Sequence, residues 1–190
     1  MKPPDFLPYL TSAFWLLVPT LSFNVLFARH LPTNYQRDVF GKDIPLWIQW
    51  PENLTRLLVV MLPLVMRLQV STSRQVLGLV LYVVGTLVYF AAWGIQIAFP
   101  QNGWSTSAAG FMAPAYTPAL WLLGIGLLGD RLTLPNVPYN PWIYWSVCGT
   151  FLAFHNAHTW LVYARTKVDS ADHRTLADTP RRTGGGDAAG

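Results

Sequence analysis

Two histidines lie close together in an apolar stretch near the end of the sequence. The stretch FLAFHNAHTWLVYAR covers residues 151–165 and contains His155 and His158. Because residues three apart lie on one face of a helix, both imidazoles could contact the same ligand. Polar side chains at bilayer depth are costly and usually face a bundle interior or a cavity. The pair therefore indicates ligand binding or proton transfer, unless each imidazole only hydrogen-bonds a carbonyl freed by a proline kink or lies at the wet end of the helix.

Three chemistries are open to this pair. A divalent metal could bind both histidines if a third protein ligand joined them, and His30 is the first candidate for it, with Cys148 next. A haem would need one histidine on each face of its ring, for example His30 and His158, or a symmetric dimer. Hydrogen bonding or proton transfer to a quinone- or isoprenoid-like ligand would suit histidine, whose unperturbed pKa is about 6.5. The sequence specifies neither a cofactor nor a catalytic residue.

The distribution of acidic residues disfavours several other kinds of site. The chain has no Asp or Glu between Glu52 and Asp130, and none between Asp130 and Asp169. A di-iron carboxylate site needs inward-facing Glu on several helices, and proton-coupled carriers usually relay protons through intramembrane carboxylates. A Ser–His–carboxylate hydrolase would also need a carboxylate at membrane depth. All three are therefore disfavoured.

The composition indicates a membrane protein. Of the 190 residues, 52% are hydrophobic and only 12% are charged, whereas soluble domains have about 25% charged residues. The net charge of +4 comes from basic residues scattered at segment ends. Because these residues form no basic face, a nucleic-acid partner is not expected. The single cysteine, Cys148, excludes an intrachain disulfide.

Five stretches are long and apolar enough to cross a bilayer, which takes about 20 mostly apolar residues per helix. The sequence therefore predicts an all-α, polytopic integral membrane helical bundle over residues 1–166. The connection 33–53 combines charges with tryptophans and is expected to lie in the membrane interface. The tail 167–190 is expected to be disordered. The predicted spans are 8–29, 54–70, 76–99, 111–129 and 142–164.

Most polar side chains of the spans fall in one half of the membrane. Alternating spans run in opposite directions, so a residue late in one span lies level with a residue early in the next. A polar cavity that opens toward the C-terminal side is therefore expected. The predicted ligand-binding residues are His155, His158, Asn24, Arg56, Gln96 and Tyr116, and Thr117 and Asn156 lie at the same level.

Charge and small residues predict the orientation and the partners. Four of the 13 Lys and Arg residues fall on the N-terminal side and nine on the other, which favours a cytoplasmic C-terminus in a cell (plasma or inner) membrane. On the last span, Gly149, Ala153 and Ala157 form a row of small residues. Such a row lets helices approach closely in lipid, so a second copy or a membrane partner protein could pack there.

These observations leave two classes of function open. The main prediction is a non-enzymatic membrane subunit or partner protein whose polar residues line a buried cavity. The alternative is a membrane-embedded enzyme or redox protein that handles a lipid-soluble ligand through His155 and His158. A solute carrier is less favoured because the sequence has no internal repeat.

Overall fold

Helices make up most of the chain, as the sequence predicts. The computed structural model describes residues 10–134 and 137–178, with side chains described as far as Asp169. Two short strands accompany the helices: β1 (Met66–Leu68) and β2 (Gly129–Leu132). The helices are α1 (Val18–Phe27), α2 (Arg37–Phe40), α3 (Leu46–Val65), α4 (Ser73–Ala98), α5 (Ala108–Tyr116), α6 (Pro118–Leu128) and α7 (Pro141–Asp178). The expected all-α class is therefore confirmed.

The first two predicted spans differ from the observed helices. Within the predicted span 8–29, the ten residues of α1 are flanked by 3-10 turns at Ala13–Leu16 and Ala28–His30, and residues 8 and 9 lie outside the described residues. The helix over the predicted span 54–70 has different bounds, because α3 starts at Leu46 and gives way to β1 at Met66. The first two turns of α3 therefore lie within segment 33–53, the whole of which the sequence predicts to be interfacial.

The later predicted spans match the helices more closely. The predicted span 76–99 corresponds to α4, whose start is fixed by a capping box between Thr72 and Gln75. The predicted span 111–129 corresponds to α5 and α6, which meet at Thr117, directly before a proline. The predicted span 142–164 corresponds to α7, which continues to Asp178. This helix includes residues 167–178 of the tail that the sequence predicts to be disordered, and 179–190 lie outside the described residues.

Two helices in the described part of the chain are long and apolar enough to cross a membrane. They are Ser73–Ala98, which is α4, and Ala108–Leu128, which combines α5 and α6. The outward face of α4 is a continuous apolar surface, formed by Val76, Leu77, Val80, Val83, Val84 and Leu87, all exposed. Large exposed apolar surfaces mark contact with a partner or with lipid. Together, length and surface support membrane association.

Glycines bring the backbones of α4 and α6 into contact. A Cβ atom at Gly85 would lie 2.5 Å from the backbone nitrogen of Trp121, and one at Gly124 would lie 2.5 Å from that of Tyr82. Neither position has room for a side chain, because the obstructing atoms belong to the partner backbone. The two candidate spans therefore pack through small residues, as helices commonly do in lipid.

We expect Gly85→Leu to lower the free energy of unfolding by about 3 kcal/mol, at the upper end of the range for overpacking. The matched control is Gly94→Leu in the same helix, because a Cβ atom at Gly94 meets nothing within 4 Å. That change should leave stability unaltered or raise it slightly, since leucine favours the helix more than glycine does. Thermal unfolding in detergent, followed by circular dichroism, measures both. Equal unfolding temperatures would contradict the close α4–α6 contact.

The strands close one end of the bundle. β1 follows α3, β2 follows α6, and the two pair antiparallel with Met66 opposite Leu132. The amide of Leu68 also donates to the carbonyl of Thr11. The ends of α3 and α6 therefore lie side by side, and the N-terminal segment meets them there. The polar residues discussed below lie away from this end, because Glu52 and the two histidines are distant from it along α3 and α7.

The segment before α3 docks against α5 through Tyr35. Its hydroxyl donates to the carbonyl of Phe111 at 2.7 Å, and the two rings stack with centroids 4.7 Å apart. Burial raises the pKa of the Tyr35 hydroxyl above its usual range, so the group stays protonated and keeps donating. This contact therefore holds the segment before α3 against the helices.

Candidate functional site

The two histidines of α7 contact the same buried carboxylate. Nδ1 of His155 lies 2.9 Å from Oε1 of Glu52, and Nδ1 of His158 lies 2.6 Å from Oε2. Glu52 is only 1% exposed. Arg56, one helical turn later on α3, forms an ion pair with Oε1. Three nitrogen groups around one carboxyl group are the surroundings of an ionised carboxylate, which can only accept hydrogen bonds.

The predicted span 54–70 leaves Glu52 out, whereas the structure includes Glu52 in a helix. Glu52 lies in the second turn of α3, on the buried face that also carries Ile48, Val59 and Pro63. This face packs against α7, which brings the only glutamate of the sequence to the histidines. The argument that no carboxylate could act with His155 and His158 therefore does not hold. The spacing of Glu52 and Arg56 by four residues was the available signal, because such pairs stabilise helices.

His158 has a structural role because both of its ring nitrogens are bonded. Nε2 donates to the carbonyl of Phe40 at 3.0 Å, while Nδ1 faces Glu52. The Phe40 ring also stacks on the imidazole, with centroids 4.4 Å apart. A carbonyl only accepts, so Nε2 must carry a proton and a further proton lies between Nδ1 and Oε2. The buried His158 thereby links α2, α3 and α7.

His155 differs from His158 in accessibility and in bonding. Its side chain is 21% exposed, and among the described residues no group forms a hydrogen bond with its Nε2. The ring stacks on Phe151 with centroids 5.2 Å apart. The contact between Glu52 and Nδ1 fixes the orientation of the ring. Nε2 can therefore donate a hydrogen bond to a ligand or accept one from it.

Arg56 extends this accessible surface. Its guanidinium lies over the ring of Phe151, 5.8 Å from the ring centre, and its side chain is 49% exposed. Arg56, Phe151 and His155 together form a surface at the seam between α3 and α7, called here the Arg56–His155 patch. It offers a permanent cation, an aromatic face and an imidazole nitrogen to a ligand that approaches from outside the bundle.

The other predicted ligand-binding residues have partners elsewhere. Within the described chain, none of them forms a hydrogen bond with Glu52 or with either histidine. Asn24 accepts a hydrogen bond from the hydroxyl of Tyr89 at 2.6 Å. Gln96 donates to the carbonyl of Gly110 at 2.7 Å. The exposed Tyr116 donates to the carbonyl of Ala109 at 3.2 Å. The structure thus brings together His155, His158 and Arg56, and separates Asn24, Gln96 and Tyr116 from them.

The metal and haem hypotheses find no support in this geometry. Among the residues that the structure describes, no group of three or more His, Cys, Asp and Glu is arranged to hold a metal ion. His30 is exposed on a 3-10 turn, and Cys148 is buried in the core. Since both nitrogens of His158 are engaged, this ring cannot serve as an axial ligand without giving up a hydrogen bond.

Comparison with known proteins adds no identification. No protein-family model matches the sequence, and no curated protein or solved structure is significantly similar to it. Function is therefore inferred from the chain's own residues.

Proposed function

We propose that the chain is a multi-pass membrane protein that binds a lipid-soluble, quinone- or isoprenoid-like ligand at the Arg56–His155 patch. The observation that carries this proposal is the orientation of His155, whose Nδ1 faces the buried Glu52 and whose Nε2 forms no hydrogen bond with any residue that the structure describes. A carboxylate that holds one nitrogen of a histidine sets the other nitrogen for hydrogen bonding or proton transfer.

Membrane insertion is supported by the apolar surfaces around the patch. Beyond the two candidate spans, α3 exposes Leu54, Leu57 and Met61, and α7 exposes Trp142 and Trp160. With these surfaces in lipid, five segments cross the membrane, and the predicted cytoplasmic C-terminus in a cell membrane is retained as part of the proposal. The patch then faces lipid, where an apolar ligand is concentrated.

The chemistry of the patch suits a ligand with a polar oxygen on an apolar body. Arg56 has donors to spare beyond its pair with Glu52, because a guanidinium carries five N–H groups. A carbonyl or hydroxyl oxygen could accept from Arg56 and pair with Nε2 of His155, while Phe151 packs against the apolar part. If a proton leaves or joins at Nε2, Glu52 stabilises the charged imidazole. Binding itself needs only these hydrogen bonds.

The test is the lipid content of the protein purified in mild detergent. We expect wild type to retain a specific isoprenoid or quinone, identified by mass spectrometry of the extracted lipids. His155→Phe keeps the ring stacking and removes the hydrogen bond, so retention should fall at least about tenfold, as expected for the loss of a bond to a charged group. His30→Phe, which alters an exposed histidine, should retain the ligand. A wild type that carries no specific lipid, or equal retention in His155→Phe, would contradict the proposal.

A non-enzymatic membrane subunit remains the second candidate, and one observation favours it. Gly149 and Ala153 are exposed on α7, and a Cβ atom at Gly149 would meet nothing within 4 Å. This row could receive a helix of a second copy or of a partner protein. The same purification distinguishes the two candidates. Under the second, wild type carries no specific lipid, and its mass in detergent exceeds the 21.3 kDa of one chain.

A further inference from the structure

A cavity of about 740 Å³ lies apart from the Arg56–His155 patch. Its walls come from residues 32–35, from the connection between α4 and α5, and from α7 near Tyr163. None of Glu52, Arg56, His155 and His158 lines it. The volume is within the range of cavities that bind small molecules. Of the six predicted ligand-binding residues, only Gln96 belongs to it.

An unpartnered hydroxyl group in the wall indicates that the cavity is built for a ligand. Ser105 is 2% exposed, and its Oγ forms no hydrogen bond within the described residues. Its position is fixed, because its backbone amide donates to the side chain of Asn102 at 2.6 Å. Buried polar groups normally have a partner, and an exception calls for an explanation. The Oγ atom is enclosed, with less than 1 Å² of accessible surface, so the side chain must turn toward the cavity for a ligand to supply the missing hydrogen bond.

The amide of Gln96 is the second polar group fixed in the wall. The side chain is 2% exposed, and its Nε2 donates to the carbonyl of Gly110. In the described part of the chain, its Oε1 accepts no hydrogen bond and is left for a ligand. Ser105 and Gln96 thus present one hydroxyl and one carbonyl oxygen, which together can both donate and accept.

The remaining lining is uncharged or balanced in charge. The other polar groups are amides and hydroxyls, such as those of Thr33, Asn34 and Gln101. The aromatic residues of the lining are Tyr35, Phe111 and Tyr163. The charged residues of the described lining are Lys167 and Asp169, which are exposed and of opposite sign. Lys167 also lies over the Tyr163 ring, 5.6 Å from its centre. An anionic ligand would therefore meet a carboxylate as well as a cation.

The position of the cavity fits the headgroup layer of a membrane. It lies where α4 ends at Ala98 and α5 begins at Ala108, the two neighbouring ends of the candidate spans. Helix ends of this kind come out of the hydrocarbon core into the headgroup region. We propose that the cavity binds the uncharged, polyhydroxylated headgroup of a membrane lipid, such as a hexose. Its hydroxyls would pair with Ser105 and Gln96, and its apolar face would pack on the aromatic rings.

The experiment compares headgroups on the intact protein. Wild type is purified in a detergent without a sugar headgroup and titrated with monoglucosyl diacylglycerol, with phosphatidylglycerol of the same acyl chains, and with methyl glucoside. Bound lipid is counted by native mass spectrometry. We expect one glucosyl lipid per chain, bound at least about tenfold more tightly than phosphatidylglycerol. Equal binding of the two lipids would overturn the choice of headgroup. Equally tight binding of methyl glucoside would overturn a lipid as the source of the sugar.

A single substitution tests the role of the unpartnered hydroxyl. Ser105→Ala should weaken binding of the glucosyl lipid about five- to tenfold, as expected for one hydrogen bond. Its unfolding temperature should stay unchanged, since the hydroxyl has no partner within the described protein to lose. Ser146→Ala changes an exposed serine on α7 and should leave binding intact. Unchanged binding in Ser105→Ala would overturn the proposal, and the headgroup series on wild type remains decisive if a variant fails to fold.

Discussion

Glu52→Leu is expected to lower the free energy of unfolding by about 3–5 kcal/mol, the usual cost of removing one partner from a buried charged cluster. The change leaves Nδ1 of both histidines without an acceptor inside the protein, and each unsatisfied buried group costs about 1–3 kcal/mol. Arg56 adds little to the loss, because its half-exposed side chain can turn to solvent. Thermal unfolding in detergent measures the effect, together with the yield of monodisperse protein.

Two controls test whether the loss of stability comes from the buried carboxylate itself. One keeps the size of the side chain, and the other removes a different acidic residue. Glu52→Gln keeps the length of the side chain and one acceptor oxygen, so it should cost about 1–2 kcal/mol, less than leucine does. Asp38→Leu removes an exposed carboxylate on α2 and should stay within about 0.5 kcal/mol of wild type. If Glu52→Leu proved as stable as Asp38→Leu, the contact between Glu52 and the histidines would be refuted.

The sequence predicts those parts of the fold that composition alone decides. Long apolar stretches can only be buried in protein or in lipid, so 76–99 and 111–129 were recognised as α4 and as α5 with α6. The start of α4 is also marked locally, by Thr72 and Gln75. These features depend on neighbouring residues only, and for that reason they could be found without a structure.

The start of α3 could not be found in this way. Charges together with Trp47 and Trp50 gave segment 33–53 the composition of an interfacial segment, although residues 46–53 form the first two turns of a helix. Their helical structure depends on packing: Ile48 and Glu52 are buried one turn apart, against other elements. The predicted boundary lies eight residues after the observed start of this helix, which left Glu52 out of the predicted site and away from the two histidines.

The structure brings only some of the predicted site residues together, for a geometric reason. In a bundle of alternating helices, chain position sets the height of a residue along the bundle axis, but it does not fix the rotation of each helix about its own axis. His155 and Arg56 share both height and direction, because α3 and α7 pack on each other. Asn24 and Gln96 point to other neighbours, Tyr89 and the Gly110 carbonyl. Only tertiary packing determines this rotation of each helix.

The two histidines, equivalent in the sequence, are expected to respond differently to substitution. His158→Leu should cost about 3 kcal/mol, because it leaves both Glu52 and the Phe40 carbonyl without a partner in a buried place. His155→Leu should cost about 1 kcal/mol, because it breaks one hydrogen bond at a side chain that is partly exposed. Thermal unfolding of both variants in detergent gives the comparison.

Limited proteolysis gives this prediction a local readout. The segment that holds Phe40 is fastened to α7 by His158 and by Arg165, which donates to the carbonyls of Val39 and Lys42. Loss of the His158 bond should therefore raise trypsin cleavage after Lys42 about tenfold, through local opening. Cleavage in His155→Leu should match wild type. An equal loss of stability with equal cleavage would mean that both histidines serve only packing, and the Arg56–His155 patch would lose its basis as a ligand site.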